Sequence, residues 1–301
     1  MPNLPEFPFF KPLELADREV LHPRLWAYQP EISELTFTNL FVWRGYYGLT
    51  WSKADEWLIF VSETDKGTWA LPPVGPEPRA VISGRLLDWL AKEKQALSPG
   101  IHRADRRLAE EVGCEPRFAV APDRPQFDYV YRSEDLINLT GRKYHDKRNH
   151  INSFRRSYRF VYEPLGETHL AHCFELAEKW CDLKRCEEDL NLMGEWEAVR
   201  EALRNFHALN LKGGVILING KVEAFTLGEL LNQETAVIHI EKADPDIKGL
   251  YAAINQQFCE HAWPEVPFIN REQDLGEPGL RAAKESYNPH HLVEKFSIRL
   301  S

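Results

Sequence analysis

The chain has 301 residues, with 37 Lys and Arg against 46 Asp and Glu and a formal net charge of −9. Hydrophobic residues make up 43% and aromatic residues 12%, enough for sizeable cores in about two domains at roughly 100–200 residues each, which excludes whole-chain disorder. No run approaches ~18 consecutive apolar residues, and the opening MPNLPEFPFFKPLEL lacks a basic segment followed by a small-residue cleavage site. Neither a transmembrane segment nor secretion is therefore expected, and the expected compartment is the cytoplasm. The overall acidity argues against a general nucleic-acid coat, so a polyanionic partner has to be met by a local basic patch.

In the first half, residues 46–51, 57–61 and 68–71 read as strands. They are separated by the turn-forming runs Ser52-Lys53-Ala54-Asp55 and Thr64-Asp65-Lys66-Gly67 and followed by a helix over 82–94. A boundary is expected near 130–145 with no low-complexity linker, giving an N-terminal domain 1–135 and a C-terminal domain 136–301.

A basic helix, 141–159, joins the two. It carries Arg142, Lys143, Lys147, Arg148, Arg155, Arg156 and Arg159 against a single acid, Asp146, in a chain that is otherwise acidic. Tyr144, Ile151, Phe154 and Tyr158 form its apolar stripe, and Lys147 falls at the edge of that stripe, where a cation is costly unless it meets an anion. Asn149 and Asn152 add neutral donors. A solvated charged face is the plainer reading. A phosphate-bearing donor or a tRNA end held by Lys143, Lys147, Arg148 and Asn149 is the functional one.

The second half is more legible. Thr168 can cap a helix to about 188. Its inner face takes Cys173 and Cys181, so that with Cys186 and Cys114 these cysteines read as reduced and structural rather than as a metal site with His169 and His172. Trp196, Val199, Leu203 and Phe206 mark a second helix. Residues 214–218, 222–231 and 235–242 form an antiparallel meander, turning at Asn219-Gly220 and at 232–234. A helix with Leu250, Ile254 and Phe258 on one face follows, then a strand over 266–270, a polar loop over 271–277, a helix opened by Pro278 and a closing strand over 291–300.

Two places in this half carry candidate chemistry. Strict alternation puts Val237, His239 and Glu241 on one face of the third meander strand, where His239 or Glu241 could take a proton from an attacking nucleophile. The loop after 270 follows a buried strand, so Arg271, Glu272 and Asp274 are expected to converge at a strand end, with Arg281, Lys284 and Tyr287 on the following helix. A closed structural ion-pair network of Glu272 or Asp274 with Arg281 or Lys284 is the competing reading. The loop 243–249, with Asp244, Pro245, Asp246 and the one glycine Gly249, is a poor cradle for a pyrophosphate. No P-loop, nucleophile elbow, zinc-protease or dinucleotide signature is present.

The order helix, helix, three-strand meander, helix, strand, helix, strand is similar to the GNAT acyltransferase arrangement, an α/β (α+β) fold on a mixed sheet, and the first half repeats it loosely. Three segments resemble more than a fold. They are Asp128-Tyr-Val-Tyr131, the run LTGRKYHDKRNHINSF over 139–154, and NREQDLGEPGLRAAKESYNP over 270–289. Together they resemble a family related to the C-terminal domain of phosphatidylglycerol lysyltransferase. The resemblance spans nearly the whole chain. It implies two tandem GNAT-like domains, each a mixed sheet flanked by helices, as in Fem-type peptidoglycan aminoacyltransferases, and an amino acid taken from aminoacyl-tRNA. The lipid-modifying relatives carry an integral-membrane domain ahead of this module, and these 301 residues contain none.

The leading expectation is a cytoplasmic aminoacyl- or acyltransferase. Its donor would be aminoacyl-tRNA, with acyl-CoA as the alternative, and its acceptor a small molecule, lipid headgroup or peptide presenting an amine or hydroxyl. Glu241, His239, Glu272 and Asp274 are the catalytic candidates. Lys143, Lys147, Arg148, Asn149, Arg271, Arg281, Lys284 and Tyr287 are the donor- and phosphate-binding candidates, and no metal is expected. The alternatives are an acyl-CoA-dependent N-acetyltransferase and a non-catalytic ligand- or RNA-binding protein on the same fold.

Overall fold

In chain order the strands are β1 (Lys11–Pro12), β2 (Leu49–Ala54), β3 (Trp57–Thr64), β4 (Gly67–Ala70), β5 (Ile101–Ala104), β6 (Phe118–Pro122), β7 (Asp128–Arg132), β8 (Phe160–Pro164), β9 (Lys212–Ile218), β10 (Lys221–Leu230), β11 (Thr235–Ala243), β12 (Phe268–Asn270), β13 (His291–Val293) and β14 (Phe296–Leu300). The computed structural model describes residues 4–301, so the first three residues of the stretch read for a leader lie outside the described residues. Two mixed sheets of seven strands result, ordered β1-β2-β3-β4-β5-β14-β6 and β8-β9-β10-β11-β12-β7-β13.

The two sheets follow one plan. In each, an antiparallel meander (β2-β3-β4 or β9-β10-β11) leads through a helix (Ala80–Lys92 or Leu250–Ala262) to a strand parallel to the third meander strand. In each, the sixth strand comes from the other half of the sequence. β14 lies between β5 and β6, and β7 pairs antiparallel with β12. The first compact unit accordingly comprises the described residues up to Asp128, with 273–276 and 293–301. The second comprises 129–272 and 277–292.

Several boundaries differ from the sequence reading. Residues 46 and 47 are helical, in the turn Arg44–Tyr47, because Trp43, Tyr46 and Tyr47 pack on one another instead of joining a ladder, and β2 begins only at Leu49. The helix expected from Thr168 is Glu167–Lys184, capped at Gly166, whose N–H donates to the imidazole of His169. The strand expected over 266–270 is three residues long. The closing strand breaks at 294–295, where Lys295 turns inward, and its second half joins the first unit's sheet.

That inward lysine is fully buried. Its ammonium donates to Glu34 Oε2 and Asp128 Oδ1, both at 2.6 Å, while Asp128 also accepts from the Ser33 N–H at 2.8 Å. Burial pushes the Glu34 carboxyl up and the Lys295 cation pulls it back. Asp128 and Lys295 sit where the chain leaves and re-enters the first unit, so this cluster lies at the start of each exchanged strand. Among the described residues no helix is long and apolar enough to cross a membrane.

Lys295→Met keeps the volume of the side chain and removes the cation shared by two buried carboxylates, leaving Glu34 with Arg103 at 3.6 Å. It is expected to cost about 3–5 kcal/mol in denaturant unfolding. A loss below about 1 kcal/mol would show that the cluster is incidental to the fold.

Candidate active site

The parallel pair β11–β12 is short: Thr235, Ala236 and Val237 align with Phe268, Ile269 and Asn270, and the ladder then stops. Beyond this point the strands are bridged by side chains. Arg271 Nη2 donates to Glu241 Oε1 at 3.0 Å, and His239 Nδ1 lies 2.8 Å from Glu272 Oε1. The loop that supplies Arg271 and Glu272 is held by β7, since the Arg271 N–H donates to the Tyr129 carbonyl and the Tyr129 N–H to the Glu272 carbonyl. Lys284 adds a third tether, its ammonium donating to the Arg271 carbonyl and, at 3.2 Å, to that of Glu272.

A β-bulge changes which side chains share a face. Leu227 pairs with Ile240 but Gly228 pairs with Ile238, so His239 is one extra residue in β11. Gly228 is required there, because a Cβ would meet the Val237 carbonyl oxygen at 2.5 Å. The extra residue shifts the alternation, so that Ala236 and Ile238 before it, and Glu241 and Ala243 after it, all face the helix Leu250–Ala262. Lys242 faces the other way, onto Trp180 and Glu195. The expected common face of His239 and Glu241 is therefore corrected. An isolated glycine within the neighbouring strand was the sequence signal for the bulge.

His239 is clamped between Glu272 and Glu229, whose Oε1 lies 3.0 Å from Nε2. Burial works against the charged ring, but the two carboxylates outweigh it and lift the imidazole to about 9. At neutral pH it is a cation that ties strands together.

Glu241 and Arg271 belong to a different cluster. Glu241 Oε2 accepts from Asn255 Nδ2 at 3.0 Å. The Arg271 guanidinium lies 4.9 Å from the centroid of Tyr287, and the Lys147 ammonium lies 4.0 Å from the same centroid. Lys147 comes from the helix His145–Ser157, where Ile151 and Phe154 are buried, as is Tyr144 just before it. Its spacing from them places it on the inward stripe. Burial, and then the Arg271 charge, lower its ammonium below the usual lysine range, while Asp146 and Glu241 partly offset this. Burial pushes the Tyr287 phenol up to about 12. Two half-buried cations thus meet on one ring with one carboxylate, Glu241, bonded to Arg271, which is an arrangement suited to a phosphate or carboxylate ligand.

The other expected site residues lie elsewhere. Asp274 belongs to the first unit, fully buried and paired with Arg124 at 3.0 Å, so it does not converge with Arg271 and Glu272. Only Gln273 separates it from Glu272, whose own positive φ turns the chain at this point. Arg148 donates to the carbonyls of Leu139 and, at 2.7 Å, Gly141, closing the preceding turn. Lys143 lies 3.4 Å from Asp135, Asn149 is exposed, and Arg281 is half-buried on the helix Pro278–Glu285. Asn255 and Glu229 were missed. Asn255 is detectable only as a polar residue beside an apolar helical stripe. The thiols of Cys173, Cys181 and Cys186 are buried and free, and among the described residues no group of three or more His, Cys, Asp or Glu is placed to hold a metal.

Because folding favours the His239 imidazolium, its contribution is complete below the ordinary histidine value near 6.5 and is lost as pH rises through about 9. Unfolding free energy should fall by on the order of 3 kcal/mol across that interval. His239→Gln should flatten the slope. An unchanged slope in the variant would assign the pH dependence to another group.

The description "Phosphatidylglycerol lysyltransferase, C-terminal" covers the family that matches residues 27–299. A conserved protein of unknown function from Bacteroides thetaiotaomicron VPI-5482 is 35% identical, with 97% of this chain and 99% of that chain covered and a TM-score of 0.89. L-PGS from Bacillus licheniformis is 13% identical over 86% and 90% of the two chains (TM-score 0.60), and FemX is 9% identical over 97% of each (TM-score 0.60). These last two likenesses are of fold, as is that to a tandem GNAT protein from the clavulanic acid biosynthesis pathway, 10% identical over 97% and 98% of the two chains (TM-score 0.50). An uncharacterized protein of Mycoplasmoides gallisepticum is 19% identical over 175 residues, and the match spans 58% of this chain and 56% of that relative's length. The chain belongs to the phosphatidylglycerol lysyltransferase C-terminal family.

Proposed function

We propose that the protein is an aminoacyl- or acyltransferase that moves an ester-activated acyl group from a phosphate-bearing donor, of which aminoacyl-tRNA is the leading candidate, to an amine or hydroxyl acceptor. The observation that carries this reading is the convergence of Lys147 and Arg271 on the Tyr287 ring, at 4.0 and 4.9 Å from its centroid. A donor phosphate there relieves the cost of a half-buried lysine beside an arginine. Glu241, held by Arg271 and Asn255, is the base: it takes the proton from the attacking amine or hydroxyl and returns it to the leaving oxygen as the acyl–oxygen bond breaks.

The same fold accommodates acyl-CoA in enzymes that open a helix N-terminus to a pyrophosphate. Here both corresponding termini are filled by the chain's own groups. At the helix Leu250–Ala262, Gly249 packs so closely on the basic helix that a Cβ would meet the His150 carbonyl oxygen at 2.4 Å. Before it, Asp244 pairs with Lys179 and accepts from the Asp246 N–H. At the helix Ala80–Lys92, Glu111 accepts from the N–H groups of Arg79 and Ala80. These contacts favour a donor held by Lys147 and Arg271 over one held at a helix end.

Lys147→Ala is expected to slow transfer of labelled amino acid from a charged total-tRNA pool at least 100-fold, with the melting temperature nearly unchanged. Undiminished transfer, or collapse of the fold, contradicts the assignment. Acetyl-CoA should leave the melting temperature of the native protein unmoved; a saturable upward shift would transfer the reading to an N-acetyltransferase.

A further inference from the structure

We infer that Asn255 reads an amino group on the transferred acyl group, which makes it a specificity-determining residue; this rests on the transferase reading above. Asn255 lies on the helix Leu250–Ala262, one position past Ile254 in the apolar stripe, and is 1% exposed. Four residues on, the corresponding inward position is filled by the buried Cys259, so an apolar side chain would serve packing at this level. An amide has a different consequence. Glu241 is acceptor-only, so the amide presents Nδ2 to Glu241 Oε2 at 3.0 Å and turns Oδ1 away. That oxygen is buried and has no hydrogen-bond partner among the described residues.

A buried carbonyl oxygen without a donor carries its full desolvation cost, and native proteins rarely leave one so. The amide that carries this oxygen is bonded to Glu241, whose side chain is 13% exposed. An ammonium group suits both. It offers three N–H donors, one for Asn255 Oδ1 and one for the carboxylate, whereas a hydroxyl offers one donor and a methyl none. Lys147 and Arg271 meanwhile take the donor's anionic part, so the cluster as a whole matches an acyl donor that carries a positive nitrogen beside its carbonyl and a phosphate further off. Sites built to bond an N–H discriminate strongly against analogues that lack it, because the protein group is then left unpaired.

The test uses two hydrolysis-stable probes, the 3′-amide-linked L-alanyl and L-lactyl derivatives of 3′-amino-3′-deoxyadenosine 5′-monophosphate, which differ only in ammonium against hydroxyl. Titration calorimetry should give the native protein at least about 10-fold tighter binding of the alanyl probe. In Asn255→Leu the preference for the alanyl probe should shrink at least about threefold, the remainder coming from Glu241, and Lys147→Ala should weaken both probes alike. If Asn255→Leu does not fold, Asn255→Ser keeps a donor for Glu241, removes the carbonyl and should show the same loss of preference. Equal binding of both probes by the native protein overturns the inference, a buried water being then the partner of Oδ1, and leaves the transferase reading standing. Binding of neither probe, or indifference of both to Lys147→Ala, overturns that reading and this inference with it.

Discussion

The buried ion cluster of Lys295 with Glu34 and Asp128 is the constraint on which the rest depends. It sits at the two points where the chain passes between sheets, and it sets where β7 begins and where β14 re-enters. β7 in turn lies against β12, and its Tyr129 backbone holds the ends of the Arg271–Glu272 segment. An ion pair in the first unit's core is thereby linked through the covalent chain to the loop that carries the second unit's arginine. Such a cluster adds little as an isolated attraction, because three charges must be desolvated. Its weight is in specificity, since any other register leaves those charges buried and unpaired.

Within the second unit, the end of the β11–β12 ladder and the bulge at His239 sort the charged residues into two groups. His239, Glu229 and Glu272 close on one another, and a cation saturated by two carboxylates has no capacity left for a ligand. Lys284 and Arg148 are likewise spent on backbone carbonyls. Lys147 and Arg271 differ, because they share one aromatic ring and have Glu241 as their nearby carboxylate partner. That difference in partners is why the proposed ligand site is assigned to Lys147 and Arg271, and residue type alone does not reveal it.

Much of the second unit was legible from the sequence. The meander around Asn219-Gly220, where both residues take positive φ, the helix with Leu250, Ile254 and Phe258 inward, and the basic helix with Lys147 at the edge of its apolar stripe follow from local periodicity and turn chemistry, although that helix is His145–Ser157 and not 141–159. The tandem GNAT-like fold and the family were legible from element order and three motifs. The exchange of sixth strands was not, because a strand's pattern shows that it is half-buried and not which sheet buries it. The opposite facing of His239 and Glu241 depends on a bulge, and a period-2 argument has no term for one extra residue. Asp274 illustrates the same limit: left-handed backbone at Glu272 turns it away from that residue, and a non-glycine residue gives no sequence sign of such a conformation.

The central claim is that the donor's anion is held by Lys147 and Arg271 over Tyr287. The most direct measurement is a crystal structure of the native protein with adenosine 5′-monophosphate bound. The account predicts the phosphate within hydrogen-bonding distance of both Lys147 Nζ and the Arg271 guanidinium. A phosphate found instead at the N-terminus of the helix Leu250–Ala262, with the Asp244–Lys179 pair opened, would contradict it.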